Sequence, residues 1–232
     1  MVTRQQLEVC VKIGILGAGK VGTILARLTV EAGYETYLAA SGDPADIDLI
    51  ASVLAPGATT ATSAHAAEEA DLVIVAIPLR KHDTLPVEQL RGKIVVDAMN
   101  YWWETDGRDS PFGAADASTS EFIQSQLPES TVVKAFNHMG YHDLDELGRP
   151  AGDPDRRAIA VAGPRAAGET VMGLIDDVGF DPLYIGGLPE GVRLQPFSPA
   201  FGANGTRAEL GEIIENFPAT ERGREVYAAL GR

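Results

Sequence analysis

The stretch Val11 to Gly22, VKIGILGAGKVG, decides the fold. A short apolar run leads directly into Gly17-Ala18-Gly19-Lys20-Val21-Gly22, a G-x-G-x-x-G pattern. In such a turn Gly17 permits the tight reversal, Gly19 lets the main chain approach a pyrophosphate, and Gly22 lets the following helix pack on the strand. Val11, Ile13, Ile15 and Leu16 form a nearly continuous apolar run, suited to a strand buried on both faces. Beyond the turn, Val21, Ile24, Leu25 and Leu28 recur at helical spacing, and Gly33 stands where a C′ glycine ends a helix. Strand, glycine turn and helix together predict a dinucleotide site. The pyrophosphate would meet the free N–H groups and positive dipole end of that helix, at Gly17, Gly19, Lys20, Val21 and Gly22. The plain alternative for the same glycines is a structural turn.

Outward from this unit the chain alternates strands and short helices. Thr36-Tyr37-Leu38-Ala39-Ala40 reads as a second strand closing at Ser41, and 58–62 as a short edge strand. The apolar runs Leu72 to Ile77, stopped by Pro78, and Ile94 to Ala98 read as central parallel strands. Ser118-Thr119-Ser120-Glu121 has the form of a capping box opening a helix, and Thr131 to Phe136 reads as a sixth strand. This alternation predicts an α/β fold, a doubly wound Rossmann-type parallel sheet with its ligand at the carboxyl ends of the strands. The Gly-, Pro- and Asp-rich stretch 148–155 is a candidate boundary. It separates a dinucleotide-binding domain over 10–147 from a small C-terminal α/β extension over 156–232. In the latter, Ala158 to Ala162 and Leu183 to Ile185 read as strands. A helix runs between Pro164 and Gly179, and Thr206 to Glu209 forms a second capping box.

Nineteen basic residues against 33 acidic ones give a net charge of −14. With no basic run, nucleic acid and anionic membrane are not expected partners. Cys10 is the lone cysteine, which excludes an intramolecular disulfide and a thiolate metal cluster. Its expected role is that of a small apolar residue. The first nine residues lack the apolar core of a signal peptide, and no run approaches the length of a membrane span. A soluble, cytoplasmic protein is expected.

Sites that prefer NAD place a carboxylate at the end of the second strand to hold the ribose 2′-hydroxyl. Here that position is Ser41, followed by Gly42. Without the carboxylate a 2′-phosphate is not repelled, which favours NADP, although Asp43 is close by. Cationic help for that phosphate would come from Lys20, Arg80 or Lys81, each of which is alternatively a solvated surface charge.

A set of ordered motifs resembles the F420-dependent NADP oxidoreductase family. It comprises KIGILGAGKVG, Ala76-Ile77-Pro78, Lys93 to Asn100, Ser118-Thr119-Ser120, Val133 to Asn137, and Arg193-Leu194-Gln195-Pro196. The resemblance spans nearly the whole chain. It implies a Rossmann domain with a small C-terminal part, NADP as cofactor, hydride exchange with the deazaflavin coenzyme F420, and a homodimer. Family members often carry Ser-Arg after the second strand, where this chain has Ser41-Gly42.

Hydride transfer between a nicotinamide and a flat acceptor ring needs little acid or base help, because the two rings supply the reactive chemistry. The protein must stack them in near-attack geometry. No nucleophile elbow and no H-E-x-x-H occurs. An apolar floor is expected at the strand ends instead, from Ile77, Pro78, Met99, Asn100, Ala135, Phe136 and Asn137. Asn100 and Asn137 either hydrogen-bond the carboxamide or the acceptor, or cap their loops. His65 and His82 are expected at the surface. His138 and His142 flank Met139-Gly140-Tyr141 beside Asp143 and Asp145, too few ligands to require a metal. No metal is expected. His138 and Asn137 are the candidate catalytic residues, and Met99, Trp102, Phe136 and His138 the candidate acceptor contacts. Trp102, beside Trp103 in a loop, covers a ligand or partner surface or packs on the C-terminal part. The loop Phe197 to Asn204 is a candidate lining for the acceptor site. Two other readings remain open: an NADPH-dependent imine or carbonyl reductase, which needs a proton donor near the nicotinamide, and a non-catalytic NADP-binding sensor.

Overall fold

Along the strand Leu72–Val75, Leu72 and Ile74 face one apolar layer while Val73 and Val75 face the other, and all four are buried. This two-sided burial explains why the strands read as unbroken hydrophobic runs. The computed structural model describes residues 11–107, 110–114 and 118–231; Cys10 lies outside them. Eight strands form one sheet: β1 (Lys12–Leu16), β2 (Glu35–Ala39), β3 (Thr59–Ala61), β4 (Leu72–Val75), β5 (Ile94–Asp97), β6 (Thr131–Lys134), β7 (Ala158–Ala162) and β8 (Asp181–Gly186). The helices are α1 (Lys20–Glu31), α2 (Asp48–Leu54), α3 (Ser63–Glu69), α4 (Val87–Leu90), α5 (Trp103–Asp106), α6 (Thr119–Gln126), α7 (Tyr141–Glu146), α8 (Arg165–Asp177), α9 (Arg207–Glu215) and α10 (Glu221–Ala229).

The strand order is β3-β2-β1-β4-β5-β6-β7-β8. All pairings are parallel except β6 with β7. The order reverses between β1 and β4, the crevice at which doubly wound sheets bind ligands. The fold class expected from the sequence is therefore present. β7 and β8 extend the same sheet, joined to it through the antiparallel pairing of Lys134 with Ala162. Two core clusters cover the faces, with Ile13, Ile15, Leu38 and Ile74 on one side and Val73, Val75, Val95 and Val132 on the other. A third, smaller cluster joins Ala158 and Ala160 of β7 to Leu210 and Ile214 of α9.

Local signals explain several boundaries. The Thr206 and Glu209 capping box is complete, with each side chain bonded to the other's main chain. At α6 Ser118 accepts from the Glu121 amide. Gly33 and Gly179 take φ of +92° and +97° after α1 and α8, as C′ glycines do. A Cβ at Gly14 would stand 2.6 Å from the Ala66 carbonyl, so the absent side chain lets α3 lie directly on β1.

Candidate functional site

The glycine turn is held from both sides. The Gly17 amide donates to the Ala39 carbonyl at the end of β2 (2.7 Å), and the Ala76 amide beyond β4 donates to the Leu16 carbonyl (2.8 Å). Gly17 has φ +124°, and a Cβ there would overlap the Ala76 carbonyl. A Cβ at Gly22 would overlap the Gly17 carbonyl, whereas one at Gly19 would meet nothing within 4 Å. Gly17 and Gly22 thus shape the turn, and Gly19 borders open space. Helix α1 starts at this point with no side-chain cap and no acidic residue in its first turn. The first-turn amides, those of Lys20, Val21 and Gly22 included, have no side chain competing for them, and the helix dipole favours an anion there.

A cleft of about 530 Å³ opens beside the turn. Gly17, Gly19, Ser41, Ile77 and Pro78, all expected cofactor contacts, line it together. Ala18, Gly42, Ser63, Lys81 and Thr84 complete its polar and backbone wall. No carboxylate lines it among the described residues. Asp43 instead caps the short 3-10 turn Pro44–Ile47, its side chain accepting from the Ala45 amide (2.9 Å). The open space before Gly19, the uncapped helix and the acid-free wall beside Ser41 fit a dinucleotide phosphate. Lys20 points elsewhere: its ammonium donates to the Tyr141 hydroxyl (2.8 Å) and lies 4.4 Å from that ring's centre. A second cavity of about 730 Å³ lies on that side of the turn, bounded by Ala18, Gly19, Lys20, Ile50, Tyr141 and His142.

Further along the strand ends, Asn100 and Asn137 clasp each other. Asn100 Nδ2 donates to the Asn137 carbonyl (2.8 Å), and Asn137 Nδ2 donates to Asn100 Oδ1 (3.0 Å) and the Leu194 carbonyl (2.7 Å). The Asn137 side chain is buried and its Oδ1 has no partner. Phe136 turns the chain out of β6 with φ +62°, a conformation that costs a non-glycine residue about 1–3 kcal/mol.

Several expected contacts lie deeper than the sequence reading put them. Ala135 and Phe136 are sealed in the core, at 0% and 1% exposure, and Met99 at 2% packs into the opposite layer. His138 is fully enclosed. Its Nε2 accepts from the Ala160 amide of β7 (3.0 Å), and its carbonyl accepts from the Gly202 amide (2.6 Å). Nδ1 faces the carbonyls of Ala200 and Ala203 without a well-formed hydrogen bond. Burial pushes the imidazole down to about 4, so it is neutral at pH 7. The structure therefore shows His138 docking the C-terminal loop onto the sheet. His82 also differs from its expected surface place: it is half-buried, edge-on to Phe112 and Phe122. Trp102 is exposed, and its ring meets Phe201 edge-on at 5.4 Å, so the 197–204 loop does reach the aromatic segment after β5.

The sequence reading missed a buried ion pair beneath the strand ends. Lys134 Nζ donates to Asp97 Oδ2 (3.2 Å) and to the Met99 carbonyl (2.6 Å). Ser120 donates to Asp97 Oδ2 (2.6 Å), and Asp97 Oδ1 accepts from the Met99 amide (2.9 Å). Both charged side chains are fully buried, and burial lowers the Lys134 ammonium despite the adjacent carboxylate. The pair braces the main chain leading to Asn100. A signal existed: Asp97 and Lys134 each end an apolar strand run, and they are register partners.

Among the described residues no group of three or more His, Cys, Asp or Glu side chains is placed to hold a metal, and no helix is long and apolar enough to cross a membrane. The family model described as NADP oxidoreductase, coenzyme F420-dependent, matches residues 12–101. The protein YjhV of Escherichia coli (strain K12) is 33% identical over 96 residues, which cover 38% of this chain and 68% of YjhV. The hypothetical protein SMa0349 of Sinorhizobium meliloti superposes with a TM-score of 0.73 at 27% identity, over 84% of this chain and 94% of its own. A candidate F420-dependent NADP reductase from Arthrobacter sp. FB24 shares the fold, with a TM-score of 0.68 at 24% identity over 95% of both chains. With its glycine turn, acid-free cleft and strand ends inside or beside the matched segment, the chain belongs to the coenzyme F420-dependent NADP oxidoreductase family, a family of NADP-dependent oxidoreductases.

Proposed function

We propose that this protein transfers hydride between NADP(H) and a planar acceptor, coenzyme F420. The observation that carries the reading is the cleft at the β1/β4 switch point, with the open approach to Gly19 at one end and no carboxylate in its lining among the described residues. When bound, the dinucleotide supplies the nicotinamide carbon that gives or takes the hydride. The chain's own contribution is placement. The first-turn amides of α1 hold the pyrophosphate, and Ile77 and Pro78 form an apolar wall that keeps water from the cofactor. Asn137, clasped by Asn100 and the Leu194 carbonyl, braces the strand ends from beneath.

Residues 156–232 form the other half of the site. Through His138 and the Trp102–Phe201 contact, the C-terminal loop is fastened beside the strand ends, where it lines the acceptor side. An imine or carbonyl reductase would need a proton donor at the nicotinamide, and His138 is too enclosed to serve as one. On this reading the protein works as a cytoplasmic homodimer. The exposed apolar side chains Leu49, Ile50, Val53 and Leu54 of α2 offer a face for the second copy.

Mixing the protein with NADPH and oxidised F420 tests the proposal through loss of nicotinamide absorbance. Turnover is expected. Intact NADP binding without turnover would remove F420 as the acceptor and leave the sensor reading in its place.

A further inference from the structure

We infer that Lys81, from the 3-10 helix Leu79–Thr84 after β4, is the cation that selects the 2′-phosphate of NADP in this chain. The inference rests on the proposal that the cleft holds a nicotinamide dinucleotide, and it assigns the residue that distinguishes the phosphorylated form. Position 42 follows Ser41, three residues beyond the end of β2, and lines the cleft. Here it is glycine with φ +126°, a backbone conformation that an arginine adopts only under strain. The charge therefore has to arrive from another element.

Three basic residues stood as candidates, and tertiary structure separates them. Lys20 is turned away to Tyr141. Arg80 is exposed and does not line the cleft, and its amide donates to Asp106. Lys81 lines the cleft with Ser41, Gly42, Ser63 and Thr84, and is half-buried there. Its main chain is pinned at both ends, the amide donating to the Pro78 carbonyl (2.9 Å) and the carbonyl accepting from the Thr84 hydroxyl (2.8 Å). Its ammonium has no hydrogen bond or ion pair among the described residues, in a chain of net charge −14. A free cation beside a serine hydroxyl, in a wall without carboxylates, matches a dianionic phosphate. Asp46, whose carboxylate is 3.4 Å from where a Gly42 Cβ would stand, lies outside the lining.

Calorimetric titration of the wild type, Lys81→Gln and Lys81→Arg with NADP+, NAD+ and 2′,5′-ADP tests this without any acceptor. Wild type is expected to hold NADP+ more tightly than NAD+. Lys81→Gln should weaken NADP+ and 2′,5′-ADP by about ten- to a hundredfold and leave NAD+ within about twofold, and Lys81→Arg should restore the preference. Thermal unfolding of the variants serves as the folding control, because an ammonium without an ion pair contributes little to stability. A Lys81→Gln protein that keeps the NADP+ over NAD+ ratio, or that loses both ligands in parallel, overturns the inference and leaves the proposed function standing. Wild-type protein with no preference also overturns it. Wild type that binds neither dinucleotide overturns the inference together with the function it rests on.

Discussion

The Gly17 carbonyl fills the space that a Cβ on Gly22 would need, so the first turn of α1 closes over the glycine loop with no room for a side chain. Gly19, between them, borders open space and has an ordinary φ of −81°. Substituting each by alanine should therefore give opposite outcomes. Gly22→Ala should destabilise the fold by about 1–3 kcal/mol through overpacking. Gly19→Ala should leave the melting temperature near wild type while weakening NADP+ by about tenfold or more, because on the proposed function its methyl group would stand where main chain and pyrophosphate meet. Calorimetric unfolding and dinucleotide titration on the same samples check both. A Gly19→Ala protein with full affinity would place the pyrophosphate elsewhere.

Asp97 and Lys134 neutralise each other at full burial, with Ser120 and the Met99 main chain taking up their remaining bonds. Removing one charge strands the other, so Asp97→Asn should cost about 3–5 kcal/mol, measured by urea unfolding. The paired apolar replacement Asp97→Leu with Lys134→Met should recover part of that loss. Equal losses in the single and double variants would count against the pairing.

For His138 the pH dependence has a definite sign. The folded imidazole, depressed to about 4 by burial, resists a proton that the unfolded chain accepts at the ordinary value of 6.5. Between those values the unfolded state binds more protons, so stability falls as pH drops from about 6.5 toward 4 and is fully present above that window. The loss approaches about 3 kcal/mol at the acid end. His138→Gln should flatten this part of the stability profile while lowering its plateau at pH 7. A variant that keeps the acid slope would move its cause to another group.

Trp102 meets Phe201 edge-on across the join between the segment after β5 and the C-terminal loop. If that contact borders the acceptor, Trp102→Ala should raise KM for F420 several-fold while NADP+ affinity changes by less than about twofold, since an aromatic pair contributes about 0.5–1.5 kcal/mol. Steady-state kinetics with each substrate varied in turn reads the split. A parallel loss of both affinities would make the contact structural.

Much of the architecture was legible in the chain itself, because the signals are local. Val11 to Gly22 encodes strand, turn and helix in consecutive residues, since a tight glycine turn is demanded by backbone geometry alone. The runs at Leu72 and Ile94 declare central strands because both of their faces are buried. Ser41 announced the acid-free end of β2 for the same reason: the residue and its role sit at one point of the sequence. Tertiary structure decided what depends on which side chains meet. Lys20, Arg80 and Lys81 are indistinguishable as cations in sequence, and only the packing of the 3-10 helix after β4 sets Lys81 in the cleft while Tyr141 draws Lys20 away. His138 and Phe136, one residue either side of Asn137, looked equally able to reach a ligand; the turn at Phe136 and the antiparallel arrival of β7 enclosed both and left Asn137 with the unpartnered oxygen. Short-range backbone requirements are written in consecutive residues, whereas burial and pairing across the sheet arise from contacts between segments far apart in the chain, which no single stretch contains.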